Sequence, residues 1–189
     1  MIIRRYTKDD EKGWLRCRVL SFLNTAYYDN VLKEKEVYDH PSIELVAIRD
    51  NQVVGLIDVE YEKEAKSVCT SRDRPGGMIW HIAVHPDYQR QGIGEKLLEA
   101  VVEETKRLNL TYLEAWTRDD VWVQKWYEKM SFEQTTSYYH LYFEGNEISS
   151  DKVEKLYTVT MFAHYMGSDV QQFDHLKRKH LCVCYVREL

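Results

Sequence analysis

The distribution of apolar and polar positions changes character along the chain, and each pattern predicts an element. Met1 to Tyr6 reads as a first strand, and Thr7 with Asp9, Asp10 and Glu11 reads as the capped, acidic first turn of a helix reaching about Phe22. Trp14, Leu15, Val19 and Phe22 form its apolar stripe. Asn24 to Asn30 is a polar and aromatic loop, and Val31 to Tyr38 a short second helix ended before Pro41. Ile43 to Ile48 and Gln52 to Tyr61 are β-rich runs joined by Asp50-Asn51, a two-residue hairpin turn. Glu62 to Gly77 has no period and reads as a long connection of the kind that is mobile or covers a site. Met78 to Val84 has so little polar relief that a strand buried on both faces is expected.

From Gly92 to Leu108 the period becomes helical, with Ile93, Leu97, Val101, Thr105 and Leu108 on one side. Leu110 to Trp116 is the next strand, parallel to the one ending at Val84 because a whole helix separates them. Asp119 or Asp120 caps a helix from Val121 to Met130, and Gln134 to Phe143 is a strand dense in tyrosine.

Strand, glycine turn and helix in that order build an anion site, because the first N–H groups of a helix have no partner within it and carry the positive end of its dipole. Gly92 and Gly94 let the backbone approach a phosphate, since neither has a Cβ and both tolerate positive φ. Walker A spacing is absent, and Leu97 stands where a dinucleotide fingerprint needs its third glycine. What fits is Q-x-x-G-x-G, Gln89 to Gly94, after Ile82-Ala83-Val84-His85-Pro86. This resembles the acyl-CoA loop of the GNAT superfamily of N-acetyltransferases, whose pattern is [QR]-x-x-G-x-[GA]. Trp126-Tyr127-Glu128-Lys129-Met130-Ser131-Phe132 resembles the family's F-Y-E-K-x-G-F segment, at about the family's separation. The resemblance covers residues 1 to 143 or so.

The resemblance implies an α/β fold: a mixed, largely antiparallel twisted sheet with a splayed parallel strand pair, flanked by helices on both faces. It implies acetyl transfer from acetyl-CoA to a primary amine by direct attack in a ternary complex. The pantetheine arm would thread the splayed pair beside Ile82, Ala83 and Val84, with a backbone N–H near Val84 facing the thioester oxygen. Gln89, Arg90, Gln91, Gly92, Ile93, Gly94 and Glu95 would cradle the pyrophosphate, with Arg90 and Lys129 as partners for the nucleotide phosphates. Tyr127 matches the tyrosine near the thioester sulfur, where a phenol with a pKa of about 10 suits a general acid. Asp120 replaces the usual asparagine toward the cofactor, and Ser131 the usual glycine before Phe132.

Other residues carry two readings each. His81 is either the base, directly or through water, or a hydrogen-bonded structural histidine. Asp58 and Glu60 share a strand face and either hold a cationic amine or solvate an outer surface; Glu114 has the same pair of readings. Phe22, Tyr27, Tyr28 and Tyr38 either touch substrate or are core and rim aromatics. The sheet closes either with Leu156 to Met166 followed by an appended helix and strand, or with Leu181 to Val186, which is favoured as a short β-branched run. In the second case 144–178 is an insertion of one or two helices that overhangs the acceptor pocket or makes a homodimer contact.

Composition narrows the class. At 189 residues the chain is expected to form a single domain, 1–189, and 44% hydrophobic with 30% charged residues is an ordinary soluble balance. No apolar run reaches the roughly 18 residues of a membrane helix, and the N-terminus lacks a secretory apolar core, so a cytoplasmic protein without a membrane partner is expected. The net charge of −5 argues against nucleic acid and is compatible with a cationic acceptor. Cys17, Cys69, Cys182 and Cys184 include no C-x-x-C pair and read as packing thiols, with no metal site and no covalent intermediate expected. The chain is thus expected to be an acetyl-CoA-dependent acyltransferase acting on a small-molecule amine. A lysine or N-terminal protein acceptor is the alternative within that class, and a noncatalytic acyl-CoA-binding sensor the alternative outside it.

Overall fold

Two residues with left-handed backbone, Asp50 at φ 49° and Asn51 at φ 60°, close the first hairpin, and a sheet grows outward from it. The structure is a computed structural model that describes residues 1–147 and 159–189. In chain order it contains β1 (Ile2–Arg5), α1 (Glu11–Phe22), β2 (Ser42–Arg49), β3 (Gln52–Tyr61), β4 (Gly77–Val84) and α2 (Ile93–Arg107). These are followed by β5 (Tyr112–Thr117), α3 (Val121–Lys129), β6 (Glu133–Glu144), β7 (Thr160–Tyr165) and β8 (Arg178–Glu188). The described strands form one sheet in the order β1-β2-β3-β4-β5-β8-β6-β7, antiparallel except for β4 and β5.

Both candidate closing segments therefore hold a strand, the described part of the first containing β7; its residues 156–158 lie outside the described residues. The Leu181–Val186 run lies inside β8, between β5 and β6, while β7 pairs with β6 at the outer edge. The helices expected in 144–178 are not found in its described part, which holds β7 and short 3-10 turns at Gly145–Glu147 and Val170–Phe173; residues 148–158 lie outside the described residues.

The expected helix at 31–38 is replaced by irregular chain, because its side chains are taken up by the sheet and by α1. Lys35 pairs with Asp58 and Glu44, the Tyr38 hydroxyl donates to Asp58, and Glu36 bonds His81. The buried face of α1 also differs from its apolar stripe. It consists of Trp14, Cys17, Arg18 and Ser21, packed on Val46, Leu56 and Ala83, while Leu15, Val19 and Phe22 are half-buried. On the opposite face α2 presents Ile93, Leu97, Leu98 and Val101 to the main core, and Leu108, expected in that stripe, is exposed.

The connection from Glu62 to Gly77 is pinned, contrary to expectation, by two buried carboxylates. Glu62 accepts the N–H groups of Val68, Cys69 and Gly76 at 2.8–3.0 Å. Glu114 accepts those of Thr70 and Ser71, the Thr70 hydroxyl and the Trp116 indole. Neither Asp58, Glu60 nor Glu114 is an outward charge: all three are buried.

Candidate active site

The site begins with a defect in the β3–β4 ladder. Asp58 pairs with His81 and Val59 with Ile79, so Trp80 is an extra residue on β4. The bulge corrects the expectation that this strand is buried on both faces, since Trp80 is 48% exposed. Its indole donates to Glu60 at 2.7 Å. At the same place β4 and β5 part: Gly77, Met78 and Ile79 pair with Leu113, Glu114 and Ala115, and no pair follows. Ile82 to Val84 stay on β3, while Trp116 and Thr117 stay on β8. The backbone edges facing each other across the opening are thus unpaired between strands. His85 N–H donates to Val54 on β3, so the alternation of a strand turns the Val84 N–H the other way, into the gap. The Val84 carbonyl accepts from Ser21 Oγ at 2.8 Å and Gln89 Nε2 at 3.1 Å.

The gap leads to the turn before α2. Arg90 (φ 60°) and Gly92 (φ 75°) are both left-handed, and such alternation turns successive N–H groups to one side as an anion nest. The first hydrogen bond of the helix runs from Lys96 N–H to Gly92 O, leaving the N–H groups of Ile93, Gly94 and Glu95 outside the helical ladder. A Cβ on Gly92 would meet nothing within 4 Å, so backbone conformation rather than crowding demands glycine there. Gly94 differs from expectation, because its φ is helical and a Cβ would lie at ordinary contact distance, 3.5 Å, from Trp126. Lys129 pairs with Glu95 at 3.5 Å, and Arg49, which the sequence did not single out, donates to Gln91 Oε1 at 2.7 Å. Gln89, Arg90, Gln91, Glu95, Lys129 and Val84 are thus gathered around the helix start. These features fit an acyl-CoA: unpaired strand edges for an amide-bearing arm, a nest for its pyrophosphate and three cations nearby.

Tyr127 is 4% exposed, stacked on Tyr185 at 5.5 Å and edge-on to Trp126 and Phe132. Burial pushes its phenol above the usual range, so it stays protonated and is a weaker acid than its type suggests. Ser131 has φ 64°, so the turn where the family carries glycine is left-handed here too. Asp120 occupies the N-cap position of α3 but gives that helix no side-chain cap; its carboxylate accepts the Ala26 N–H at 2.9 Å. It therefore secures the loop after α1, and Asp119 is bonded to His180.

His81 lies on the other side of the sheet, under α1, with its ring edge-on to Trp14. Both ring nitrogens are engaged: Nδ1 accepts from Arg18 Nε at 3.3 Å, and Nε2 bonds Glu36. With Nδ1 accepting, the Nε2–H faces Glu36 and no lone pair is free. Arg18 and Glu36 were not foreseen, since a helix arginine and a glutamate in an apparent second helix carry no motif.

The Acetyltransferase (GNAT) family model matches residues 4–132, and the chain belongs to that family. It is an N-acetyltransferase whose acyl donor is acetyl-CoA. No curated protein matches it. In fold it is similar to a ribosomal-protein-alanine N-acetyltransferase from Brucella melitensis, at 16% identity and TM-score 0.60 over 100% of both chains. A GNAT family acetyltransferase from Elizabethkingia anophelis with acetyl-CoA bound matches at 17% identity and TM-score 0.56, covering 100% of this chain and 97% of that one. The aminoglycoside 6'-N-acetyltransferase AAC(6')-IG from Acinetobacter haemolyticus matches at 18% identity and TM-score 0.54, covering 72% and 93%.

Proposed function

We propose that the chain moves acetyl from acetyl-CoA to the primary amine of a small molecule, both substrates being bound together. The observation that carries the acceptor class is the roof over His81. Residues 23–41 cross the α1 face and lay Glu36 and Tyr38 on His81 and Asp58. The acceptor side is then a covered, carboxylate-bearing site, better matched to a small cation than to a polypeptide in an open groove.

The donor supplies an activated thioester carbonyl. In this reading Gln89 to Glu95 hold its pyrophosphate, Arg90, Arg49 and Lys129 meet its phosphates, and Ile82, Ala83 and Val84 border its arm. The Val84 N–H polarises the carbonyl. Tyr127 donates its proton, or a hydrogen bond, to the departing sulfur. His81 takes the amine proton, directly or through water, once Glu36 and Arg18 release it. The buried thiols of Cys17 and Cys69 are pushed up by burial, Cys17 to about 12, which suits packing rather than nucleophilic attack. All four cysteines are free and buried, which fits a reducing compartment, and we place the chain in the cytoplasm. Among the described residues no helix is long and apolar enough to cross a membrane.

A protein N-terminus is the second acceptor reading, favoured by the full-length likeness in fold to the Brucella melitensis enzyme. Release of free thiol from acetyl-CoA against polyamines, amino acids, aminoglycosides and N-terminal peptides separates the two. Turnover on small amines supports the proposal, and turnover confined to peptides overturns it.

A further inference from the structure

Lys35 belongs to no helix or strand, yet its side chain is only 3% exposed, and its ammonium donates to the Glu36 carbonyl at 3.3 Å. Glu44 lies 2.7 Å away and Asp58 3.1 Å. The rings of Tyr38, Tyr6 and Trp14 lie with centroids at 4.7, 5.1 and 5.4 Å. Aromatic faces combined with carboxylates are how proteins recognise an alkylammonium. Here the chain's own lysine fills such a cage without saturating it. Asp58 Oδ1, on a residue with 0% exposure, has no hydrogen-bond partner among the described residues. A cavity of about 200 Å³ lies alongside, lined by Tyr6, Glu11, Lys35, Glu36, Tyr38 and Glu44 among others.

The cage adjoins the reaction site. Asp58 is the cross-strand partner of His81, and Glu36, next to Lys35, is the residue that occupies His81 Nε2. The strap from 31 to 38 is fastened mostly by polar contacts: Lys35 N–H to Glu11 at 3.2 Å, Tyr38 to Asp58 at 3.1 Å and, just ahead of it, Arg18 to the Asn30 carbonyl at 2.7 Å. Leu32 packs on the core, whereas Val31 and Val37 are exposed. Lys35 and Glu36 are consecutive on this strap, so one segment carries both the occupant of the cage and the residue on His81 Nε2, while Arg18 of α1 holds Nδ1.

We propose that the cage is an alkylammonium subsite of the acceptor site, that Lys35 is its tethered occupant in the free protein, and that its ligand is the distal ammonium of a diamine or polyamine acceptor. This rests on the small-molecule amine reading. The distal ammonium takes the place of Lys35, and the near amine, deprotonated, stands beside His81 to attack the thioester. The C–S bond breaks as the N–C bond forms, the amine proton passes to His81, and the thiolate leaves to be protonated.

The test is Lys35→Ala in the full chain, with n-propylammonium and cadaverine as probes. n-Propylammonium is expected to raise the melting temperature of Lys35→Ala and not that of the wild type. Calorimetry should show cadaverine binding Lys35→Ala about tenfold more tightly than wild type. Adding Asp58→Asn should remove that gain. No thermal rescue, including a variant that stays unfolded with the probe present, overturns the cage, as does a gain that survives Asp58→Asn. Diamine turnover without rescue leaves the amine reading standing and removes the cage. Rescue with no turnover on any amine does the reverse.

Discussion

Asp58 and His81 stand directly opposite each other on the β3–β4 ladder, immediately before the register shift at Trp80. A buried carboxylate, an imidazole and the opening of the sheet are thereby placed within one residue pair of each other. The bulge also re-aims β4, so that Ile79 and Ile82 both face the α2 layer although they are three positions apart, while His81 and Ala83 face α1.

Gly92→Glu should reduce acetyl-CoA affinity by roughly a hundredfold or more, since it puts an acid in the nest and a side chain on a φ of 75°. The backbone strain should cost only about 1–2 kcal/mol, because no neighbour lies within 4 Å of the new Cβ. Titration calorimetry with acetyl-CoA checks this, and an unchanged affinity would remove the cradle from Gly92.

Tyr127→Phe should lower kcat by roughly 10- to 100-fold and leave KM for acetyl-CoA nearly unchanged. The stack on Tyr185 survives the change, so the melting temperature should hold. A variant with the wild-type rate would show that the phenol is packing alone.

Glu114→Ala should destabilise by about 2–4 kcal/mol, because it strips the N–H groups of Thr70 and Ser71 of their acceptor. Burial pushes Glu114 up, but its hydrogen bonds from Ser71, Thr70 and Trp116 outweigh burial and hold it below the usual carboxylate range. Its stabilisation is therefore present above the unfolded pKa and lost as pH falls through the folded one. Hydrogen exchange should speed up across residues 67–76 in the variant and not on α2; uniform change would deny the local anchor.

His140 gives a second acid-side effect at higher pH. Burial and the Arg118 guanidinium, which donates to its Nδ1 at 2.9 Å, push it down to about 3. His164 stacks on it and Arg118 is itself buried, so a proton on His140 would add charge to a cationic corner. The unfolded chain binds that proton near pH 6.5, so stability is complete above 6.5 and falls on acidification with a slope approaching 1.4 kcal/mol per pH unit. Denaturant titrations at pH 7 and pH 5 check it: His140→Phe should flatten the difference, and an unaltered slope would assign it elsewhere.

The parts legible in the sequence are those whose cause is local. The glycine turn, α2, the Asp50-Asn51 hairpin and the parallel strand after a helix each follow from neighbours in the chain. The buried carboxylates were not legible, because their partners are backbone N–H groups in a loop without pattern; Glu114 and Thr70 are 44 positions apart. The strap at 31–38 has helical spacing, yet its charged side chains gain more from Asp58, Glu44 and His81 than a short exposed helix returns. The bulge at Trp80 left no trace, since it depends on how β3 registers against β4.

The position of β8 sets an order of assembly. Its residues pair with β5 on one side and β6 on the other, down to Leu189 N–H on Thr111 O. During synthesis β5 must wait with an open edge until some seventy further residues have emerged. The far wall of the gap between β4 and β5 is thus the last part of the sheet to be fixed, and loss of residues 180–189 would undo the proposed acyl site, whose motifs all lie far upstream.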